Sequence, residues 1–504
     1  MRKIWFLAVI VFTFSANAEE SAQGNALTIY SKAAPGSIDP NIYRPVAGGQ
    51  NYGNYSVPGY AVVRHVREVN LGGKHTVLKF QDVAAKLDPT TVQFKSLTDE
   101  KGTKVTEQNY QFDLVSQQKL LQKYIDKEIT VERNVGDNIE TISGTLMSTD
   151  GGLTLKNPAG KIMIINDYSS IQFPELPGGL ITKPTLVWDI YTAKTGKHQA
   201  EVAYQTEGIT WWADYNLTYR EGKNANSGLV DFGSWVSIIN QSGASYNNAK
   251  LKLMAGDVQR AAPPQNVYRK EMRMLAMEAD SAAPSFEEKA FFEYHLYTLN
   301  RPADLPDNST KQLELIPQAQ NVPVEKIYLY NGNSQAHYGG VNTNRDIGTQ
   351  SNKKVDIYLK LKNDEKSGLG VPLPSGRLRV NQRDDDGSLE FIGEDIIDHT
   401  ARNEDVLVRL GSAFDVVGER KQIDFSYDSN RKIIEEEFEI KLRNQKKKGD
   451  VKVIVKENLY RAANWKIISS SDKYDKENSN TIHFPIEIDA GEEKTIRYRV
   501  RYSW

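Results

Sequence analysis

Most of this chain alternates apolar and polar residues with a period of two, and that pattern admits little besides sheet. Phe438, Ile440 and Leu442 face away from Glu437, Glu439, Lys441 and Arg443. Trp211, Ala213, Tyr215, Leu217 and Tyr219 likewise oppose Asp214, Asn216, Thr218 and Arg220. Val355, Ile357, Leu359 and Leu361 oppose Asp356, Lys360 and Lys362. At the end of the chain, Ile496, Tyr498, Val500, Tyr502 and Trp504 turn from Arg497, Arg499 and Arg501. A strand with one apolar face must bury it against another layer, so the pattern predicts antiparallel β-sandwiches. The 25 tyrosines and 7 tryptophans suit the same structure.

Helical pattern is scarce. After Asp113, Leu114, Leu120, Leu121 and Tyr124 can share a face, with Ser116 as the N-cap. Short strands then follow at 128–133, 139–148, 153–156 and 161–173, separated by glycine-bearing turns. A helix followed by short bent strands has the layout of a small SH3- or Sm-type barrel inserted in a larger domain. The predicted class is therefore mainly β, a multi-domain set of antiparallel β-sandwiches with an inserted SH3/Sm-like barrel and one short helix. The predicted segments are 1–18 as signal peptide, 19–112 as an N-terminal β domain and 113–175 as the helix and barrel. They continue with 176–258 as a central sandwich, 259–290 as a linker or loop, and 291–504 as a C-terminal sandwich. Residues 35–59, rich in Pro, Gly, Asn and Tyr, read as a long surface loop.

The first residues predict export. Arg2 and Lys3 precede an apolar run from Ile4 to Phe14, and Ala16-Asn17-Ala18 offers a small-x-small cleavage pattern after Ala18. The run is too short for a stable membrane anchor, and no later stretch reads as a membrane helix. The chain has no cysteine, which excludes a lipoprotein anchor, disulfides and thiolate metal sites. A net charge of −2, from 63 basic and 65 acidic residues, argues against a nucleic-acid partner. The expected location is the periplasm or the medium.

Several stretches carry a family likeness. They are 204–215 (YQTEGITWWADY), 235–243 (WVSIINQSG), 253–257 (LMAGD) and 294–299 (YHLYTL) with Thr310-Lys311-Gln312. Further matches are 387–395 (GSLEFIGED), 397–400 (IDHT), 413–420 (AFDVVGER) and 500–504 (VRYSW). Over roughly residues 60–504 the chain resembles the bacterial domain of unknown function 4139, a broad group that includes the mucoidy-inhibitor proteins. The resemblance implies a β-rich envelope protein without an established reaction, so no catalytic residue is carried over. The long N-terminal coiled coil of the mucoidy-inhibitor proteins is missing here, and a partner role built on it does not transfer.

Among chemically suggestive residues, Glu394, Asp395, Asp398 and His399 cluster most densely, and His295 is the other histidine in a family-like stretch. Converged, they could hold a divalent metal or do acid–base work; a strand turn and a satisfied structural histidine are the plainer reading. Asp384, Asp386 and Glu390, with Asp385 and Gly387, offer oxygen ligands suited to calcium, or simply a hairpin turn. Met272, Met274 and Met277 could take Cu(I), or could dock a loop on the body. An outer-membrane barrel is disfavoured by the densely charged strand faces. No nucleophile elbow, zinc-protease or phosphate-loop pattern occurs. No cofactor is expected.

Two functions follow. The first is a non-enzymatic envelope protein that binds an unknown protein or glycan partner, with Tyr52, Tyr55 and Tyr60 as contact candidates. The second is a metal-assisted hydrolase using His295, Glu394, Asp395, Asp398 and His399. Convergence of those five side chains in one cleft separates the two.

Overall fold

The computed structural model describes residues 24–31, 36, 38–39, 57–136, 138–256, 258, 286–291, 294–335, 339–349, 351–384 and 386–504. The 1–18 segment, Tyr52, Tyr55, Asp385, the three methionines 272, 274 and 277, and nearly all of the expected linker lie outside them. The described chain is mainly β, with Gln117–Lys123 as its one α-helix. None of its helices is long and apolar enough to cross a membrane. It forms two compact units, one of residues 62–206 with 24–27 and 242–249, the other of 207–241 and 250–504 with 28–61.

In the first unit, Thr185–Thr192 runs between His75–Gln81 and Thr103–Gln111, antiparallel to both. Gly196–Glu207 forms a second ladder, between Gly59–Leu71 and Leu87–Ser96. Trp188 joins these layers. Its ring lies 5.5 Å from Phe80 on its own sheet and 5.2 Å from Phe94 on the other. Its indole N–H is buried too, and donates to Gln108 Oε1 at 2.8 Å.

The helix starts as expected, with Ser116 accepting from the Lys119 N–H at its N-cap. It buries Leu121, and Tyr124 just beyond it, against Ile129, Val131, Leu146, Leu153, Leu155 and Ile165. Leu114 instead forms a bridge to Ile181. The segment expected as one strand at 161–173 is two, Ile162–Ile165 and Ser170–Gln172. The break lets the last strand return to the first, pairing Ser170 with Glu132, while Ile162–Ile165 stays on Leu153–Lys156. The strand order is thus fifth, first, second, third, fourth. No ladder joins the two outer strands, so among the described residues the expected barrel is an open, bent sheet.

His65 is the polar centre of this unit. An amide oxygen can only accept, so Nδ1, 2.7 Å from Asn25 Oδ1, carries the ring proton. Nε2 then accepts from the Tyr204 hydroxyl at 2.9 Å, and that oxygen accepts from the Ala84 N–H. Burial, helped by the Arg67 cation, pushes the imidazole pKa down to about 3.

The second unit is built on a fourteen-stranded sheet that forks. Ala319–Tyr330 pairs along one side with Lys354–Lys362. On its other side its first half pairs with Ser227–Asn240, whereas Tyr328–Tyr330 pair in parallel with Val453–Val455. That strand therefore serves both layers of a sandwich. One layer carries Asp405–Asp428, Ile433–Asn444 and Glu493–Ser503, the other Val451–Asn458 and Thr481–Ile488. Their inner faces interleave Ile434, Phe438, Ile440, Tyr498 and Val500 with Val453, Val455, Phe484 and Ile486, all buried. Each such side chain contributes about 1.5–3 kcal/mol by leaving water.

This core also holds ions. Arg420 Nε donates to both carboxylate oxygens of Glu457, at 3.0 and 2.9 Å, and Nη1 donates to the Gly348 carbonyl at 2.7 Å. The Tyr498 hydroxyl donates to the same carboxylate, and the guanidinium stacks 3.7 Å from the Phe438 ring centre. Arg461 Nη2 donates to Glu436 at 2.7 Å, and its two Nη groups also donate to the carbonyls of Asn342, Asn344, Arg345 and Ile347.

Two outcomes are expected. Glu457→Ala strands a buried cation and lowers the unfolding free energy by about 3–5 kcal/mol, whereas Arg420→Met with Glu457→Leu loses far less. Equilibrium denaturation of the two variants checks this; equal losses would contradict it. The second concerns pH. Because the folded His65 value lies below the unfolded one near 6.5, the unfolded chain gains a proton that the folded chain does not. This stability is full above pH 6.5 and falls as pH drops towards 3, by about 2 kcal/mol at pH 5. Denaturation of the parent and of His65→Gln at pH 8 and 5 should differ by that slope.

Candidate functional site

The residues singled out for metal chemistry lie in one unit but do not converge. His295 sits in Tyr294–Leu299, its Nδ1 2.7 Å from Glu288 Oε1 on the neighbouring Phe286–Phe291 strand. His399 lies beyond Leu389–Ile397, where Nδ1 accepts from the Ser375 N–H at 3.0 Å. Asp398 is exposed beside it, its carbonyl accepting from the Thr400 hydroxyl. Glu394 and Asp395 are consecutive in a strand and so point to opposite faces. Asp395 accepts the N–H groups of Ile396 and Arg409, while Glu394 lies 3.4 Å from Arg379 Nε. Among the described residues no three His, Asp or Glu side chains form a metal-ligand group.

The acidic run at 384–390 is a hairpin turn between Gly376–Arg383 and Leu389–Ile397. The Gly387 N–H donates to the Asp384 carbonyl, with Gly387 at a φ of 88°, where a side chain would be strained. Asp386 Oδ1 accepts the Ser388 N–H at 2.8 Å, which holds its carboxyl below the usual range. Glu390 Oε1 accepts from the Ser388 hydroxyl at 3.0 Å. Tyr60, one of the contact candidates, packs inward. It is buried and stacks on Tyr30 with ring centres 4.6 Å apart, since it opens the Gly59–Leu71 strand.

A different constellation does form, on one sheet face. Consecutive tryptophans in a strand face opposite ways, so Trp211 enters the core and donates to the Ile29 carbonyl at 3.1 Å. Trp212 then shares the other face with Asp214 and Asn216. Ile239, Ile38 and Val57 cover Trp212 at one end. Asp214 is buried here, and its Oδ2 accepts the Trp212 indole N–H at 2.7 Å and the Ser237 hydroxyl at 3.3 Å. Its Oδ1 faces Arg379 Nη1 at 3.4 Å and Arg377 Nε at 3.8 Å. Arg379 also reaches Glu394, and Gln312 donates to Ser237.

Register explains the grouping. Asp214 lies opposite Trp235 on one side and Arg377 on the other, and Trp235 lies opposite Glu314. Directly paired residues share a face, so Trp235 stands in the middle of this polar row. It is 42% exposed, and its indole N–H donates to no described residue. A second concavity, of about 430 Å³, is lined by Asn331, Asn333, Asp346, Asn352 and Asp356. Its groups are largely used internally, as Asp356 takes Arg409 and Ser412, and Asn352 the Lys354 N–H.

A family model described as a domain of unknown function, DUF4139, matches residues 200–504. The chain belongs to that family. No curated protein and no solved structure matches it. The DUF4139 region contains every strand of the Trp235 face, while the helix and its five-stranded sheet precede it. Two of the family-like stretches, WWAD and WVSIINQSG, meet there as neighbouring strands. Alternation places Asp214 on a polar strand face, and Trp235 stands in a family-like stretch; their opposition in register unites the two.

Asp214→Ala removes the acceptor shared by Trp212 and Arg379, and is expected to cost about 3 kcal/mol. Arg379→Gln, at a partly exposed end of the network, is expected to cost about 1 kcal/mol. Denaturant titration ranks the two, and a larger loss for Arg379→Gln would show that Asp214 is not the hub.

Proposed function

We propose that this chain is an exported, non-enzymatic envelope protein that binds a partner, a protein or a glycan, through the Trp235 face. The observation that carries the reading is the exposed indole at the centre of a braced polar sheet face. Exposed aromatics are costly to leave in water and are enriched where partners dock. The braces beneath it, Asp214 with Trp212, Arg377 and Arg379, hold the surface in one shape before any partner arrives.

Export is supported by the basic start, the apolar run and the small-x-small pattern before Glu19. It also suits a chain with no cysteine to mispair in an oxidising compartment.

Expression of the full chain in a Gram-negative host, followed by fractionation and N-terminal sequencing, is expected to give a periplasmic or secreted form beginning at Glu19. Cross-linking in intact cells is expected to trap a partner on that form and to lose it with Trp235→Ala. An uncleaved cytoplasmic chain would overturn export, and an unchanged cross-link would overturn the assignment of the face.

A further inference from the structure

We infer that the occupant of the Trp235 face is a neutral glycan, its sugar rings stacking on the indole and its hydroxyls meeting the polar row on either side. This rests on the preceding reading and names the partner's chemistry.

Three features point to sugar rather than protein. The first is what surrounds the ring. A protein hot spot is an aromatic set among apolar groups, whose burial excludes water. Trp235 has polar neighbours instead: Asp214 and Glu314 lie directly across from it, with Asn216, Ser237 and Gln312 next along the same face. A pyranose matches that arrangement, with C–H groups on the ring face for the indole and hydroxyls on its rim for amides and carboxylates.

The second is charge. Asp214 is shared by Arg377 and Arg379, and Arg379 also meets Glu394, so the charges of this row are spent on one another. Among the described residues both cations of the row, Arg377 and Arg379, are opposed by carboxylates, which leaves neither free for an acidic glycan.

The third is spare capacity for hydrogen bonding. The Trp235 indole N–H and the exposed Asn216 side chain make no hydrogen bond to a described residue. Sugar hydroxyls both donate and accept, so they can serve both. The strands are long and run side by side, Ile209–Glu221 against Ser227–Asn240, which presents a broad sheet face rather than a pit. That shape suits a chain of sugars.

The test uses the mature protein from residue 19 and calorimetric titration with cellohexaose, maltohexaose, mannohexaose and chitohexaose, with hexagalacturonate as the anionic probe. At least one neutral oligosaccharide is expected to bind, with little dependence on salt. Trp235→Ala is expected to weaken binding about tenfold or more, and Trp235→Phe, which keeps a ring, to weaken it less. An unchanged melting temperature for both variants shows that the fold is intact. The inference is overturned if no neutral probe binds, if only hexagalacturonate binds, or if binding ignores Trp235. Should the in-cell cross-link be lost in Trp235→Ala while no sugar binds, the glycan inference fails and the partner reading survives. Should neither respond to Trp235, both fail.

Discussion

Two ion pairs buried between the layers of the C-terminal sandwich govern how that sandwich can be put together. Arg420 belongs to the layer of Asp405–Asp428, and Glu457 to the opposite layer, on Val451–Asn458. Glu436, on Ile433–Asn444 of the first layer, pairs with Arg461 in the loop that follows Val451–Asn458. Both partners of the Arg420–Glu457 pair are only 1% exposed, so each charge depends on the other for its solvation. Apolar faces alone would let the layers slide, because hydrophobic contact has no direction. A guanidinium bound by both oxygens of a carboxylate does have direction, and it holds the layers at one offset. Arg461 extends the constraint to chain outside the strands, drawing the carbonyls of 342–347 onto its fork.

The Trp235 face uses the same device with a different result. Asp214 is buried at the surface end of a polar row, and it collects donors from Trp212, Ser237 and Arg379 on three strands. Here the ion network lies beneath an open face rather than inside a core. Its effect is to keep a polar surface stiff while leaving one indole uncovered.

How much of this could be read beforehand follows from what alternation encodes. A period of two reports which residues share a face, and it was sound for Phe438, Ile440 and Tyr498, which meet in the core. It does not report what covers the other face. Asp214 alternates with buried residues and reads as solvent-facing, yet it is buried, because Arg377 and Arg379 arrive on a strand over 160 residues away. Alternation itself argues against convergence of Glu394 and Asp395, since neighbours in a strand point to opposite faces. For Tyr60 the sequence leaves contact and inward packing open; the glycine before it reads as loop, whereas it is the first residue of a strand.

The outer face of the sandwich shows why the buried pairs are needed. Ile433–Asn444 presents Glu435, Glu437 and Glu439, which lie opposite Arg501, Arg499 and Arg497 of Glu493–Ser503. Each pair is joined by an ion contact. The ladder discourages foreign strands and opposes a slip by one residue, which would turn the apolar set outward. It opposes a slip by two only in part. After such a slip two of the three glutamates would still face arginines, and Phe438, Ile440 and Leu442 would still face the core. Only a residue unlike its neighbours two places away can distinguish the two registers. Glu436 is that residue, a carboxylate between the buried Ile434 and Phe438. Moving it two places, about 7 Å along the strand, would strand both Glu436 and Arg461 without partners in a dry interior. In a sandwich whose surface charges repeat so regularly, the uniqueness of the fold therefore comes from the charges it hides.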